Sequence, residues 1–138
     1  MAEDTLPLEL ELLERIRTRL ESPSAWTKRA YARNLLGEIV CTDNSDAVCF
    51  CVSGASYVEA GVVARERGLP TYFVEDAVRG DAMRRLLVAI YGPNYAWHNV
   101  PHWNDRSETT HSDVLAALDG AIATARAELT GGVNEAQV

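Results

Sequence analysis

The stretch "SDAVCFCVSGASYVEAGVVARERGLPTYFV", Ser45 to Val74, decides the fold, because it is compatible with two architectures. In the first, residues 47–52 form a buried strand, residues 57–67 a helix and residues 71–74 a second strand. Together they would make a βαβ unit, with the "SGAS" turn at a helix N-terminus that can hold an anion. The strand propensity of "VCFCV" favours this architecture.

The second architecture is a single long helix that begins near Asp46. Gly54 would then be a position of close packing, and the turn Gly68-Leu69-Pro70 would end the helix. Apolar residues follow the three-and-four spacing of one helix face at Val48, Cys51, Val52, Ala55, Val58, Val62 and Val63.

The segment before this stretch predicts two helices. The first spans Pro7–Glu21 and is amphipathic, with Glu and Arg on its polar face. Its apolar stripe is Leu12, Leu13, Ile16 and Leu20. The segment "SAWTKRAYARN" predicts a shorter helix capped by Ser24 or Thr27. The residues expected to face inward from it are Trp26, Ala30 and Tyr31.

The segments after this stretch predict two more helices. In "DAMRRLLVAIYG", Asp81 is the expected N-cap and Gly92-Pro93 the terminator. In "THSDVLAALDGAIATARAELTGG", Thr110 and Asp113 occupy capping-box-like positions ahead of an apolar stripe. With no second strand beyond "TYFV", this helical context favours the single long helix for the deciding stretch.

We therefore predict a mainly α fold, a compact bundle of about five helices. It forms a single domain over residues 1–138, with a frayed tail at residues 130–138. The alternative is an α/β fold with a small βαβ unit at residues 47–74.

Composition limits the classes of function. Of 138 residues, 20 are Asp or Glu and 13 are Lys or Arg, which gives a net charge of −7 without a basic cluster large enough for a phosphate backbone. We therefore expect no nucleic-acid partner. The sequence shows no signal-peptide pattern and no apolar run of membrane-spanning length, so we expect a cytoplasmic protein without a membrane partner. The three cysteines lack zinc-ligand spacing, and we predict reduced thiols, no metal and no cofactor.

Three segments taken together resemble an uncharacterised family of small bacterial and phage proteins. They are "WTKRAYARN" (Trp26–Asn34), "CVSGA" (Cys51–Ala55) and "WNDRSETTHSDVLAALDGAI" (Trp103–Ile122). The segment Gly68–Gly80 departs from the family pattern as an insertion. The resemblance implies a helical environment for the second segment and an accessory or host-modulating role, and it carries no activity, cofactor or catalytic residue.

Chemically versatile side chains are densest in "WHNVPHWNDRSETT", residues 97–110. His98 and His102 have the spacing of metal ligands on a helix, but Pro101 argues against a helix here and no third ligand is evident. Asn104 and Asp105 are residue types that hold irregular turns through nearby backbone amides. The functional interpretation is that the loop lines a pocket or a contact surface. The predicted binding residues are Trp26, Tyr95, Trp97, His98, His102, Trp103 and Asp105.

The leading functional hypothesis is a small acidic module that binds a protein partner or a small ligand through residues 95–105. The alternative is a small hydrolase or transferase in which His98 or His102 is the general base and Asp105 orients it. Cys51 would be the remote candidate for its nucleophile. A third hypothesis is a homo-oligomer that associates through an apolar stripe on the first helix, at Leu6, Leu8 and Leu10.

Overall fold

The fold is described by a computed structural model that covers the backbone of residues 2–137 and the side chains of residues 5–131. The described residues form five α-helices and one two-stranded sheet. They are α1 (Ala2–Arg19), β1 (Ala32–Arg33), β2 (Cys49–Phe50), α2 (Val52–Arg67), α3 (Arg79–Tyr91), α4 (Val100–Asp105) and α5 (His111–Gln137). The prediction of a mainly α bundle is confirmed. The predicted frayed tail at residues 130–138 lies largely outside the described side chains and stays a prediction.

The core is formed by α1, α2, α3 and α5. α1 packs against the other three helices, and α3 also packs against α5. The predicted stripe of α1 is fully buried at Leu12, Leu13, Ile16 and Leu20. α5, which packs against α1, contributes buried residues that include Val114, Leu118, Ala121 and Ala125. Each large apolar side chain buried in this way contributes about 1.5–3 kcal/mol, so these stripes fix the bundle.

The deciding stretch combines parts of both architectures. α2 begins at Val52, so the prediction of a helix from near Asp46 is wrong in its start. The preceding residues Cys49–Phe50 form β2, which pairs antiparallel with β1. At the other end the prediction holds, because Gly68 adopts a left-handed conformation (φ +64°) and its amide donates to carbonyls of the last turn.

The predicted second strand at residues 71–74 is helical, so the βαβ alternative is wrong. Residues Phe73–Val78 form a π-helical turn that leads directly into α3. The π-helical hydrogen bond runs from the amide of Arg79 to the carbonyl of Val74, five residues earlier. Because the helical path is continuous, α3 begins before Asp81, and Asp81 lies in its first turn rather than at its N-cap.

The helix predicted in "SAWTKRAYARN" is absent from this part of the described chain. A 3₁₀ turn at Pro23–Ala25 is followed by extended and bent backbone up to β1. The amide of Thr27 donates to the Phe50 carbonyl (3.0 Å), and Arg29 has φ of +64°, which no α-helix contains. Pairing with β2 therefore replaces helical hydrogen bonds. Trp26 is half-buried and Tyr31 is exposed, instead of both facing inward.

The final helix begins as predicted. The amide of Thr110 donates to Asp113 Oδ2 (2.9 Å), and the amide of Asp113 donates to Thr110 Oγ1 (3.1 Å), which is a reciprocal capping box. At the other end of the bundle, Leu8 and Leu10 pack against the core and Leu6 is half-buried. The first helix therefore lacks the fully exposed leucine stripe on which the homo-oligomer hypothesis depended.

Gly54 in the first turn of α2 brings two segments into close approach. A Cβ at this position would lie 2.0 Å from the carbonyl oxygen of Tyr31. That same oxygen accepts a hydrogen bond from the amide of Cys51 (3.3 Å). The predicted close-packing role of Gly54 is therefore confirmed, and its neighbour is backbone rather than a flexible side chain.

We predict that Gly54→Ala lowers the free energy of unfolding by roughly 1–3 kcal/mol, because the methyl group displaces the Tyr31 backbone. Gly61→Ala on the same helix is the matched control, since its Cβ would only touch the flexible end of Arg65 at 3.5 Å. We expect this control to raise the free energy of unfolding by up to about 1 kcal/mol through helix propensity. Urea unfolding of both variants checks the pair, and equal effects would contradict the packing argument.

Candidate functional site

The 95–105 region is more regular than the sequence predicted. Asn99 caps α4, with its Oδ1 accepting a hydrogen bond from the amide of His102 (2.8 Å). Pro101 lies in the first turn of this helix, where its missing N–H costs nothing, so the prediction that it excludes a helix is wrong. His98 lies before the helix, so His98 and His102 do not lie on one helix face as two metal ligands would.

The predicted aromatic and imidazole groups point in different directions. Trp97 is 89% exposed, and the side chain of His102 is exposed as well. The ring of His98 stacks on Tyr91, with 3.6 Å between ring centroids and 6° between planes. None of the cavities of about 250, 550, 620 and 770 Å³ in the described part of the chain is lined by Trp97, His98 or His102.

Asn104 is fully buried. Its side-chain oxygen accepts two hydrogen bonds and its side-chain nitrogen donates two, so the amide group has no unused donor or acceptor. Its Oδ1 accepts from the indole of Trp26 (2.8 Å) and from the amide of Val52 (3.1 Å). Its Nδ2 donates to the carbonyl of Thr27 (3.1 Å) and to Asp105 Oδ1 (3.0 Å). One side chain thus joins α4 to the 26–29 segment and to the start of α2.

Asp105 and Trp103 complete this junction. Asp105 Oδ1 also accepts from the amide of Arg29 (2.8 Å), the residue with positive φ. Trp103 is buried, and its carbonyl accepts from Thr109 Oγ1 (2.7 Å). Sequence reasoning expected Asn104 and Asp105 to hold their own turn. Their main partners instead lie more than fifty residues away in the chain, and the Trp26 segment packs beside this region as expected.

The arrangement lacks the pairing that the enzyme hypothesis requires. Among the described residues, no hydrogen bond or ion pair joins Asp105 to His98 or His102. Cys51 is buried, and its Sγ accepts from the amide of Gly54 (3.2 Å) as the N-cap of α2. Burial raises the pKa of the Cys51 thiol, and the nearby charge of Asp105 acts in the same direction. Its thiolate is therefore disfavoured.

Sequence reasoning missed an exposed apolar turn between β1 and β2. Leu35 is 88% exposed and Leu36 is 83% exposed, at the tip of a hairpin closed by a bridge between Arg33 and Ile39. We call residues 34–38 the leucine turn. The signal was the Asn-Leu-Leu-Gly sequence, which is typical of a turn, but the sequence analysis predicted a helix in the segment before it and assigned no role to the two leucines.

Sequence reasoning also missed a cluster around Tyr57. Its ring packs edge-to-face on Tyr31, with ring centroids 6.2 Å apart. The guanidinium of Arg79 lies over the same ring, 3.9 Å from the centroid, and its Nη2 donates to the Tyr57 hydroxyl (2.9 Å). No sequence pattern predicts this cluster, because Tyr31 lies just before β1, Tyr57 lies in α2 and Arg79 begins α3.

A cavity of about 620 Å³ between α1, α3 and α5 has a structural role. Arg85 bridges Glu9 (3.1 Å) and Glu128 (2.9 Å) at its wall, and the hydrogen bond from Arg85 lowers the pKa of Glu128. Arg85 thus links three helices through two ion pairs. Across residues 5–131, His, Cys, Asp and Glu side chains form no group of three that could hold a metal ion. Within the same range, no helix is long and apolar enough to cross a membrane.

We predict that Asn104→Ala lowers the free energy of unfolding by roughly 3 kcal/mol or more, because the Trp26 indole, the Val52 amide and the Thr27 carbonyl lose their partner inside the protein. Asn44→Ala is the matched control, since the exposed side chain of Asn44 makes a single hydrogen bond among the described residues, from the amide of Asp46 to its Oδ1. We expect the control to cost about 1 kcal/mol or less. Urea unfolding measures both, and similar losses would show that Asn104 is not a central junction.

We predict that iodoacetamide alkylates Cys51 at least about tenfold more slowly than exposed Cys41 at pH 8, because burial and a raised pKa leave little accessible thiolate. Mass spectrometry of the two cysteine peptides over time gives the rates. Faster alkylation at Cys51 would indicate an activated thiol and would revive the enzyme hypothesis.

Comparison with known proteins places the chain in a family without an assigned activity. No curated protein and no solved structure matches it. The profile of a family of unknown function (DUF6197) matches residues 5–124, which include all three segments of the resemblance noted in the sequence. Because the match covers most of the 138 residues, the chain belongs to this family of unknown function.

Proposed function

We propose that the protein is a binding module that contacts a protein partner through the leucine turn. The observation that carries the proposal is the exposure of Leu35 (88%) and Leu36 (83%) side by side at the tip of an ordered hairpin. Two adjacent leucines held in water bury apolar area when a partner covers them, and such area drives protein association.

The leucine turn is preorganised by its own hydrogen bonds. Asn34 Oδ1 accepts from the amides of Leu36 (3.0 Å) and Glu38 (2.9 Å). The amide of Gly37 donates to the Asn34 carbonyl (3.0 Å), and Arg33 Nη1 donates to the Gly37 carbonyl (2.9 Å). A loop that is already ordered loses little conformational entropy on binding, so more of the contact energy remains as affinity.

The charge around the leucine turn indicates the chemistry of the partner. Residues 34–48 contain Glu38, Asp43 and Asp46 and no Lys or Arg, so the Arg33 guanidinium at the Gly37 carbonyl is outnumbered by three carboxylates. Beside the turn, Tyr31, Ile39 and Tyr57 line a groove of about 770 Å³. An apolar pocket on the partner, surrounded by basic residues, would complement both features. The net charge of −7 supports the same choice of a basic partner.

The 95–105 region remains a second candidate surface for the same class of function. Trp97 is 89% exposed and offers a large rigid side chain, which is the residue type most often found at the centre of protein contacts. A small ligand held by Trp97, His98 or His102 has less support, because none of these three residues lines a cavity described above. An accessory, host-modulating role in a bacterium or phage is part of the proposal, and identification of the partner tests it.

We predict that a photoreactive p-benzoylphenylalanine in place of Leu36 forms one discrete crosslink to a protein in cells that naturally produce this chain. The same group in place of Tyr72, an exposed aromatic residue outside the hairpin, is the control and should give no such product. With the identified partner, Leu35→Ser/Leu36→Ser should weaken binding at least about tenfold, since each fully buried leucine contributes about 1.5–3 kcal/mol. Glu38→Lys should weaken it further at low salt.

Three results would overturn the proposal. The first is an unchanged affinity of the double leucine variant with circular dichroism identical to that of the wild type. The second is loss of binding by Trp97→Ala alone, which would move the contact surface to residues 95–105. The third is a crosslink only to another copy of this chain, with a matching leucine-dependent change of mass in analytical ultracentrifugation, which would make the turn a homo-oligomer contact.

A further inference from the structure

A smaller cavity of about 250 Å³ lies where α2, α3 and the start of α4 meet. Its apolar wall includes Met83, Leu87 and Val100, and its polar wall includes Ser53, Tyr57, Arg79 and Asn99. The lining contains no Asp or Glu. The cavity is slightly smaller than most ligand pockets, which limits an occupant to a small molecule or a single residue of a larger one.

Arg79 is the positive charge of this cavity, and no carboxylate compensates it. Within residues 5–131, Arg79 takes part in no ion pair, whereas Arg15, Arg17 and Arg85 each pair with more than one acid. Its Nε donates to the Glu75 carbonyl (3.0 Å), which fixes the side chain beside the Tyr57 ring. The structure thus holds a guanidinium in place without neutralising it.

The donors of Arg79 are only partly used. Nη1 makes one long contact with Ser56 Oγ (3.5 Å), and Nη2 makes one hydrogen bond with the Tyr57 hydroxyl (2.9 Å). Each of these nitrogens carries two N–H groups, so each retains one for another acceptor. Two free N–H groups on the two terminal nitrogens match the two oxygens of a carboxylate.

Ser53 supplies a second polar group to the cavity. This residue is only 3% exposed, it lines the cavity, and no hydrogen bond of its hydroxyl to another side chain or backbone group is seen among the described residues. No fully buried side-chain nitrogen or oxygen in residues 5–131 lacks a partner, so this hydroxyl is accessible from the cavity and can bond to an occupant. At the cavity edge, Asn99 uses its Oδ1 to cap α4, and its amide nitrogen is likewise unused within the described chain.

We propose that this cavity binds a carboxylate attached to a small apolar group. The guanidinium of Arg79 and the hydroxyl of Ser53 hold the carboxylate, and Met83, Leu87 and Val100 contact the apolar group. A single guanidinium and the absence of Lys from the lining suit one negative charge better than a phosphate dianion. The carboxylate can belong to a free acid or to the C-terminus of a protein, and both present the same chemistry to the site.

This site is distinct from the leucine turn, although Tyr31 and Tyr57 line both the 250 Å³ cavity and the 770 Å³ groove. Neither Arg79 nor Ser53 belongs to the hairpin, and neither Leu35 nor Leu36 lines the 250 Å³ cavity. Because Arg79 contacts Tyr57, the leucine variants and Ser53→Ala, rather than Arg79→Gln, distinguish the failure of one proposal from the failure of the other.

The test is an NMR titration of the full chain with hexanoate as a free acid and N-acetyl-leucine as a mimic of a protein C-terminus. We expect saturable shifts of the amide signals of Ser53, Arg79 and Asn99 with at least one probe. Hexanamide, which lacks the charge, and inorganic phosphate should each bind at least about tenfold more weakly. The ratio of the two carboxylate affinities distinguishes the sources of the ligand.

Variants assign the binding to the two donors. Arg79→Gln should weaken the better probe at least about tenfold, while the matched control Arg65→Gln, an exposed arginine on α2 outside the lining, should stay within about twofold. Ser53→Ala should weaken binding severalfold with little change in the free energy of unfolding, since residues 5–131 offer its hydroxyl no hydrogen-bond partner that the substitution would remove. This second variant keeps the test valid if Arg79→Gln fails to fold.

Several results would overturn the proposal. The first is no shift of these signals at roughly 10 mM of either carboxylate, about ten times the Kd of roughly 1 mM expected for so small a ligand. Equal affinity for hexanamide or phosphate would show that the site does not select a carboxylate. Unchanged affinity in both Arg79→Gln and Ser53→Ala would place any binding elsewhere.

Discussion

The hydrogen bonds of the Asn104 side chain are the interactions on which the region between α1 and α2 depends. Its hydrogen bonds fix the Trp26 segment and the first amide of α2, and Asp105 beside it fixes Arg29 at positive φ. The region between α1 and α2 has little regular structure of its own, so this junction and the short β1–β2 pairing together hold it against the helices. A buried polar group whose bonds are all made is strongly specific for one arrangement, because any other arrangement leaves those groups unpaired.

The regular half of the fold could be predicted from sequence because its signals are local. The stripe of α1, the capping box of Thr110 and the close approach at Gly54 all follow from spacing and residue type within one segment. The segment after Trp26 could not be predicted in this way. Its residues are adequate helix formers, and what prevents a helix is pairing with Phe50 and bonding to α4, both of which come from distant parts of the chain.

The same distinction separates the candidate sites. The sequence drew attention to residues 95–105 because tryptophans and histidines are conspicuous there, yet Trp103 and Asp105 mostly hold the structure together. The groups with spare binding capacity are ordinary in sequence. Leu35 and Leu36 are notable only because a turn exposes them, and Arg79 only because no acid lies beside it. Exposure and missing partners are properties of the assembled protein, so no reading of residue types alone would identify them.

The π-helical turn at Phe73–Val78 has a consequence for the placement of Arg79. A π turn holds one residue more than an α turn, so it is the form in which a continuous helix accommodates one extra residue. In an α-helix one residue corresponds to a rotation of about 100°, which the π turn absorbs before α3 begins. Removal of one residue between Pro70 and Arg79 should therefore convert the π turn to an α turn and leave α3, with Arg79 as its first residue, in register with the core. The length of the segment before α3 can thus change without moving the guanidinium away from Tyr57.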